Sequence, residues 1–269
     1  MNSILLNLFL AVVILLSALK TSACALSEIR TIVTRPGVTM DFLALTPETS
    51  VRHDALILFP GGNGVNPFKV VADGSVSSWS FLVRSSEHFV RSGLATFTVV
   101  PPSDHPTGMN NSFRESSEHA EDVALLARYL EQQGYERIFL VGNSRGTLSA
   151  TALGTRLRDS HVKGIILTSA LEYDTFMRWL PLEQLQLPVL MVHHRNDACR
   201  ISSFEAAERT RAALSATTAV DFTEVTGGVE PRSEPCNNLS AHGFFGVEEK
   251  VAHVIAEWVV GREVPALVE

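Results

Sequence analysis

The stretch Arg137–Ala150, RIFLVGNSRGTLSA, decides how this chain folds. Arg137–Val141 (RIFLV) is a short, almost wholly apolar run, which reads as a strand buried on both faces. Gly146–Arg158 has the small, helix-favouring composition of a packed helix. Between them the chain must turn sharply through Gly142-Asn143-Ser144-Arg145-Gly146, a G-x-S-x-G pattern with Ser144 at its apex. Only glycine at positions 142 and 146 lets the strand and the helix approach closely. The same turn forces Ser144 into a strained backbone conformation.

Working outward, strand-like and helix-like segments alternate along the chain. Asp54–Pro60 (DALILFP) reads as a buried strand ending in the turn Gly61-Gly62-Asn63-Gly64, and Ala95–Val100 (ATFTVV) as another, stopped by Pro101-Pro102. Glu115–Gln133 reads as a helix whose Ala120, Val123, Ala124, Ala127 and Leu130 form one stripe, closed by Gly134. Gly164–Thr168, Pro188–His193 and Asp221–Val225 are further strands, and Ala206–Leu214 is a helix. Val247–Val260 closes the series as a helix with Val251, Val254, Ile255, Trp258 and Val259 on one face. Short apolar strands between helices imply an α/β fold with a mostly parallel sheet covered on both faces. No repeat, low-complexity tract or linker interrupts it, so residues 26–269 read as a single domain.

Composition excludes several classes. The chain has 269 residues, 45% hydrophobic and 19% charged, enough apolar side chain to offset the entropy of ordering. Its net charge of −7 and lack of a basic run argue against nucleic acid as a partner.

Residues 1–25 stand apart. Ile4–Leu19 is apolar but for Asn7 and Ser17, and Ala23-Cys24-Ala25 is a small-residue cleavage site, so a signal peptide removed after Ala25 is expected. The run would span about 24 Å as a helix, short of the roughly 30 Å hydrocarbon core, so no stable membrane span is expected after cleavage. No Lys or Arg precedes the run; an uncleaved anchor and lipid attachment at Cys24 are the alternatives. Export, to a periplasm or the medium, leaves Cys199 and Cys236 as one pair, expected to be a disulfide joining two loops.

Functional side chains of a parallel sheet gather at the carboxyl edge of the strands. There Ser144 would project from its turn beside the N-terminus of the following helix, where negative charge is favoured. A serine hydroxyl needs a base, and the base needs a carboxylate to hold its tautomer. Asp197, in the loop after PVLMVHH, supplies a carboxylate at that edge, with Glu172 and Asp174 as alternatives. His242, in the loop SAHGFF before the last helix, supplies the base. His193 and His194 fit packing or support of the Asp197 loop, and His253 a solvated helix flank. The other five histidines (53, 88, 105, 119 and 161) show no metal-ligand spacing, and neither metal nor cofactor is expected.

The order Ser144…Asp197…His242 matches that of the α/β-hydrolases, and from residue 54 to about 260 the chain resembles that superfamily. It is similar in particular to small bacterial exported serine hydrolases, on LILFPGGNG, PPSDHPTG…FRESSEHAEDVALLARYL and VGNSRGTLSA. The resemblance implies nucleophile, acid and base for Ser144, Asp197 and His242. Acyl transfer also needs an oxyanion hole. Its donors would be the N–H of Arg145 and one from the loop after LILF, either Gly62 or Asn63; Phe59-Pro60 replaces the His-containing start of many esterases.

Only about 20 residues, Ala170 to Pro188, are available for a cap, so a minimal one is expected, with Tyr173, Phe176, Met177 and Trp179 either lining an acyl pocket or packing on the sheet. The expected activity is hydrolysis of a small-molecule carboxylic ester through an acyl-enzyme. Peptidase, thioesterase and acyltransferase activities use the same triad, and a non-catalytic binding protein on this scaffold is the remaining alternative.

Overall fold

The computed structural model describes residues 26–48, 53–65, 67–71, 75–157 and 161–269. The expected signal peptide, 1–25, lies outside the described residues. Among the described residues the strands are β1 (Leu26–Arg35), β2 (Val38–Thr46), β3 (Asp54–Phe59), β4 (Lys69–Val70), β5 (Val76–Ser77), β6 (Ala95–Val99), β7 (Arg137–Asn143), β8 (Val162–Thr168), β9 (Val189–His194), β10 (Val220–Val225) and β11 (Leu267–Val268). The helices are α1 (Phe81–Arg84), α2 (Ser86–Arg91), α3 (Asn111–Arg114), α4 (Ser117–Gln132), α5 (Gly146–Arg156), α6 (Phe204–Ser215) and α7 (Glu248–Val259).

Nine strands form one sheet in the order β1-β2-β6-β3-β7-β8-β9-β10-β11, and β4 and β5 pair in a separate ribbon. From β6 to β11 all neighbours run parallel, whereas β1–β2 and β2–β6 are antiparallel. The order reverses at β3: β6 lies on one side of it and β7 on the other. Such a switch point opens a crevice at the carboxyl ends of the strands.

The apolar strands are explained by two cores. Along β3, Ala55, Ile57 and Phe59 face a cluster with Val123, Leu126 and Leu130 of α4 and Leu148 of α5. Leu56 and Leu58 face the opposite cluster, with Phe81, Phe89, Val251 and Ile255. With both faces covered, alternation disappears and β3 is buried throughout. Arg137 clamps Asp54 at 2.6 and 2.7 Å, fixing the register between the starts of β7 and β3.

The helix expected over Glu115–Gln133 is α4, and a separate short helix, α3, precedes it. Asn110 caps the short α3 by accepting from the Phe113 N–H, and Ser116 caps α4 by accepting from His119. Each cap satisfies an amide that the helix itself leaves free, and Arg114, at the end of α3, is buried. The β1–β2 hairpin, the β4–β5 ribbon and α1–α2 were not among the expected elements. Between β8 and β9 lie only a single wide helical turn, Tyr173–Met177, and a short one, Leu182–Gln184, so the cap is minimal. Among the described residues no helix is long and apolar enough to cross a membrane.

Candidate active site

Ser144 sits between β7 and α5 with φ +51, in the left-handed region that a side chain rarely adopts. The flanking glycines permit it. A Cβ at Gly146 would lie 1.8 Å from the Phe59 carbonyl oxygen, and one at Gly142 would lie 2.4 Å from the Gly146 carbonyl oxygen. The Ser144 N–H donates to the Thr168 carbonyl at 3.0 Å, which fastens the turn to the end of β8.

Asp197 and His242 meet, 45 residues apart in sequence, with His242 Nδ1 2.8 Å from Asp197 Oδ2. Both are buried. The carboxylate also accepts the Cys199 N–H at 2.9 Å and the Ser202 hydroxyl at 3.1 Å; that hydroxyl lies 3.0 Å from His242 Nδ1. The contact places the ring proton on Nδ1 and leaves a lone pair on Nε2. Among the described residues Nε2 is buried with no partner, so Ser144 and His242 are not hydrogen-bonded in this structure. Hydrogen bonds of this kind often tighten only when substrate binds. The alternative acids are engaged elsewhere or exposed. Glu172 pairs with Arg209, which holds its carboxyl below the usual range, and Asp174 lies in solvent.

His193 supports the acid loop, as expected. Its Nε2 donates to the Ser202 carbonyl at 2.9 Å and lies 3.5 Å from Asp197 Oδ2. Burial pushes its pKa down to about 4, opposed by the nearby carboxylate. Cys199 and Cys236 form a disulfide with a Cα–Cα distance of 4.6 Å, joining the loop of Asp197 to that of His242.

Around the turn after β3, the N–H groups of Gly62, Asn63 and Arg145 meet no acceptor among the described residues. Gly62 adopts φ +62, and a Cβ at Gly61 would lie 3.1 Å from the Ser144 Cβ, so the turn faces the serine. The Asn63 side chain is spent on the turn itself, donating to the Thr107 carbonyl and accepting from the Val65 N–H. Beside this turn is a cleft of about 310 Å³, lined among others by Gly61, Asn63, Phe68, Trp79, Ser80 and Asn238. Trp79 is 72% exposed. Tyr173, Phe176 and Met177 pack against the core instead, and Trp179 is exposed beneath the Arg178 guanidinium.

Arg114, Ser169 and Ser202 were missed by sequence reasoning. No local pattern marks them: Arg114 and Ser169 bond to groups 35 to 73 residues away, and Ser202, close to Asp197 in sequence, joins it to His242 40 residues on. Among the described residues, no cluster of His, Cys, Asp or Glu is arranged to hold a metal.

No family model matches the chain, and no curated protein matches it. Solved structures do. A dienelactone hydrolase from Anabaena variabilis aligns over 88% of this chain and 99% of its own, with 14% identity and a TM-score of 0.61. An alpha-beta serine hydrolase homologue from Coxiella burnetii aligns over 87% and 95%, with 16% identity and a TM-score of 0.57. An esterase from Pyrococcus furiosus aligns over 87% and 91%, with 10% identity and a TM-score of 0.58. Likeness at these identities speaks to the fold, and together with the strand order it shows that the chain has the α/β-hydrolase fold.

Proposed function

We propose that the chain is a serine hydrolase acting on small carboxylic esters, with Ser144 as nucleophile, His242 as base and Asp197 as the acid that orients it. One observation carries the reading. The His242 imidazole is fixed through Nδ1 by a buried carboxylate while Nε2 meets no partner among the described residues, and its backbone carbonyl is tethered to Ser169, next to the Thr168 that holds the Ser144 N–H. Ser144 Oγ attacks the ester carbonyl as Nε2 takes its proton, and the negative oxygen is held by the N–H of Arg145 and that of Gly62 or Asn63. His242 returns the proton to the leaving alcohol, giving the acyl-enzyme. Water, deprotonated by the same Nε2, then releases the acid and restores Ser144.

A pocket of about 310 Å³ beside the oxyanion turn suits a compact group rather than a long chain, and the exposed Trp79 offers it an apolar face. The paired cysteines support an exported, oxidising setting.

The test is labelling of the purified chain by a fluorophosphonate probe, beside Ser144→Ala and His242→Ala. Labelling of the wild type that both variants lose supports the reading, and hydrolysis of p-nitrophenyl esters should then fall as the acyl chain lengthens. A folded wild type that neither labels nor hydrolyses any ester would leave a binding protein on a hydrolase scaffold.

A further inference from the structure

The guanidinium of Arg114 is completely buried, and none of its hydrogen bonds or ion pairs among the described residues is to a carboxylate. Its Nη2 donates to the Pro60 carbonyl at 3.3 Å and the Gly62 carbonyl at 3.2 Å, its Nη1 donates to Ser149 Oγ at 2.9 Å, and its Nε has no partner. One planar group therefore ties the turn after β3 to α5, the helix that begins directly behind Ser144. Burying a charge without an anion is expensive, and an apolar side chain of similar volume would serve stability better. Burial, with repulsion from Arg145 second, brings its pKa down to about 10, so the charge survives at neutral pH.

What the guanidinium grips fixes what the turn presents. A trans peptide is planar, with its C=O and N–H pointing in opposite directions. Holding the Pro60 and Gly62 carbonyls toward Arg114 aims the N–H groups of Gly61 and Asn63 away from it. A Cβ at Gly61 would lie 3.1 Å from the Ser144 Cβ, so the turn that carries these N–H groups runs beside the serine. Gly64 rests on the same support, since a Cβ there would come within 3.5 Å of Nη2 and 2.8 Å of Met109 Cε.

We infer that Arg114 is the positioning residue of the oxyanion hole: its contact with the Gly62 carbonyl aims the Asn63 N–H at the oxygen that becomes negative when Ser144 attacks, its contact with the Pro60 carbonyl holds the start of the turn, and its buried positive charge stabilises that negative oxygen from behind. This rests on the serine-hydrolase reading, and it favours Asn63 over Gly62 as the second donor.

The experiment compares wild type, Arg114→Met, Arg114→Lys and Ser149→Ala by kcat and KM on p-nitrophenyl acetate and by inhibition with phenylboronic acid, which forms a tetrahedral adduct on an activated serine. Loss of one oxyanion donor costs about 10²–10³ in kcat, so a misaimed one should cost roughly 30-fold or more. For Arg114→Met we expect that loss with KM within about threefold, and boronic acid affinity falling in parallel with kcat. Arg114→Lys should recover part of both. A folded Arg114→Met with wild-type kcat, or with unchanged boronic acid affinity, overturns the assignment. Should Arg114→Met not fold, Ser149→Ala decides. It releases one end of the clamp and should lower kcat and boronic acid affinity together at constant KM; wild-type values for both overturn the assignment. A wild type that neither turns over esters nor binds the boronic acid overturns the hydrolase reading itself, which separates that failure from a failure of Arg114 alone.

Discussion

The Ser169 hydroxyl donates to the backbone carbonyl of His242 at 2.7 Å. The residue before it, Thr168, receives the Ser144 N–H at 3.0 Å. The end of β8 therefore holds the serine turn with one residue and the histidine loop with the next, although neither of the two residues touches the reacting atoms. Ser169 adopts φ +47 to do so. Replacing it with Ala leaves the buried His242 carbonyl without that donor, a loss of about 1–3 kcal/mol. Urea unfolding should register the cost, and kcat should fall with KM little changed. Unchanged stability together with unchanged kcat would show that the tether positions nothing.

Asp197 and Ser202 should separate in kinetics although both touch His242 Nδ1. Asp197→Asn keeps an acceptor but can impose the wrong tautomer, and kcat should drop by about 10³–10⁴. Ser202→Ala leaves the direct His242–Asp197 contact in place and removes the hydroxyl's hydrogen bond to the carboxylate, so a smaller loss of about 10-fold is expected. Equal losses in the two variants would mean that the hydroxyl, not the carboxylate, orients the base.

What was legible in the sequence was what short-range sterics and chain order determine. Gly142 and Gly146 announce the turn because the clashes they avoid lie within it and against the neighbouring strand. Asp197 was singled out because it follows a strand whose first four residues are apolar, and the parallel sheet places the ends of such strands at one edge. The hairpin of β1 and β2 was not legible as antiparallel, since a side chain records burial and not the direction of the neighbouring strand. Arg114 was hidden for another reason. Its acceptors are 35 to 54 residues away, and nothing near it in sequence distinguishes it from a surface arginine. The aromatic run Tyr173–Trp179 left two readings open, and three of its four apolar side chains went to the core.

Gly146→Ala should be the most damaging single-methyl change at the site. Its Cβ would stand 1.8 Å from the Phe59 carbonyl oxygen, a clash that neither buried strand nor helix can relieve without moving. Overpacking of this sort costs about 1–3 kcal/mol and here should exceed it, because backbone rather than a flexible side chain is in the way. Gly62→Ala meets nothing within 4 Å, and its positive φ alone should cost about 1–2 kcal/mol. Thermal melts of the two variants test the ranking; a Gly62→Ala melting below Gly146→Ala would refute it.

Reducing the disulfide should affect activity as well as stability. The bridge closes a segment with a sequence separation of 37, worth about 3–4 kcal/mol in unfolded-chain entropy. Cys199 also donates its backbone N–H to Asp197 Oδ1, so freeing this loop loosens the carboxylate that orients His242. A Cys199→Ser, Cys236→Ser double variant should melt lower and show reduced kcat even at temperatures where it is fully folded. If kcat is retained below the melt, the bridge serves stability alone.

Two buried histidines set the acid limb of stability. His119 packs between Phe59 and Phe113 with neither ring nitrogen hydrogen-bonded, and burial foremost, then repulsion from Arg114, Arg156 and Arg35, brings its pKa down to about 3. His193 is held to about 4, again chiefly by burial. Both folded values lie below the value of about 6.5 expected in the unfolded chain. Above pH 6.5 neither state binds the proton and the two residues contribute no pH dependence. As pH falls below 6.5 the unfolded chain takes up protons that the folded one refuses, so stability declines until pH reaches the folded values. The limiting slope is about 1.4 kcal/mol per pH unit for each histidine, and from pH 6.5 to 5 the pair should remove about 2–3 kcal/mol. His119→Phe keeps a ring between two rings and deletes one titration, so its loss over that interval should be smaller than that of the wild type by roughly 1–2 kcal/mol. Urea unfolding at pH 7.5, 6.5, 5.5 and 5.0 measures both. Parallel curves for wild type and variant would mean that His119 is protonated in the folded chain and has found a partner there.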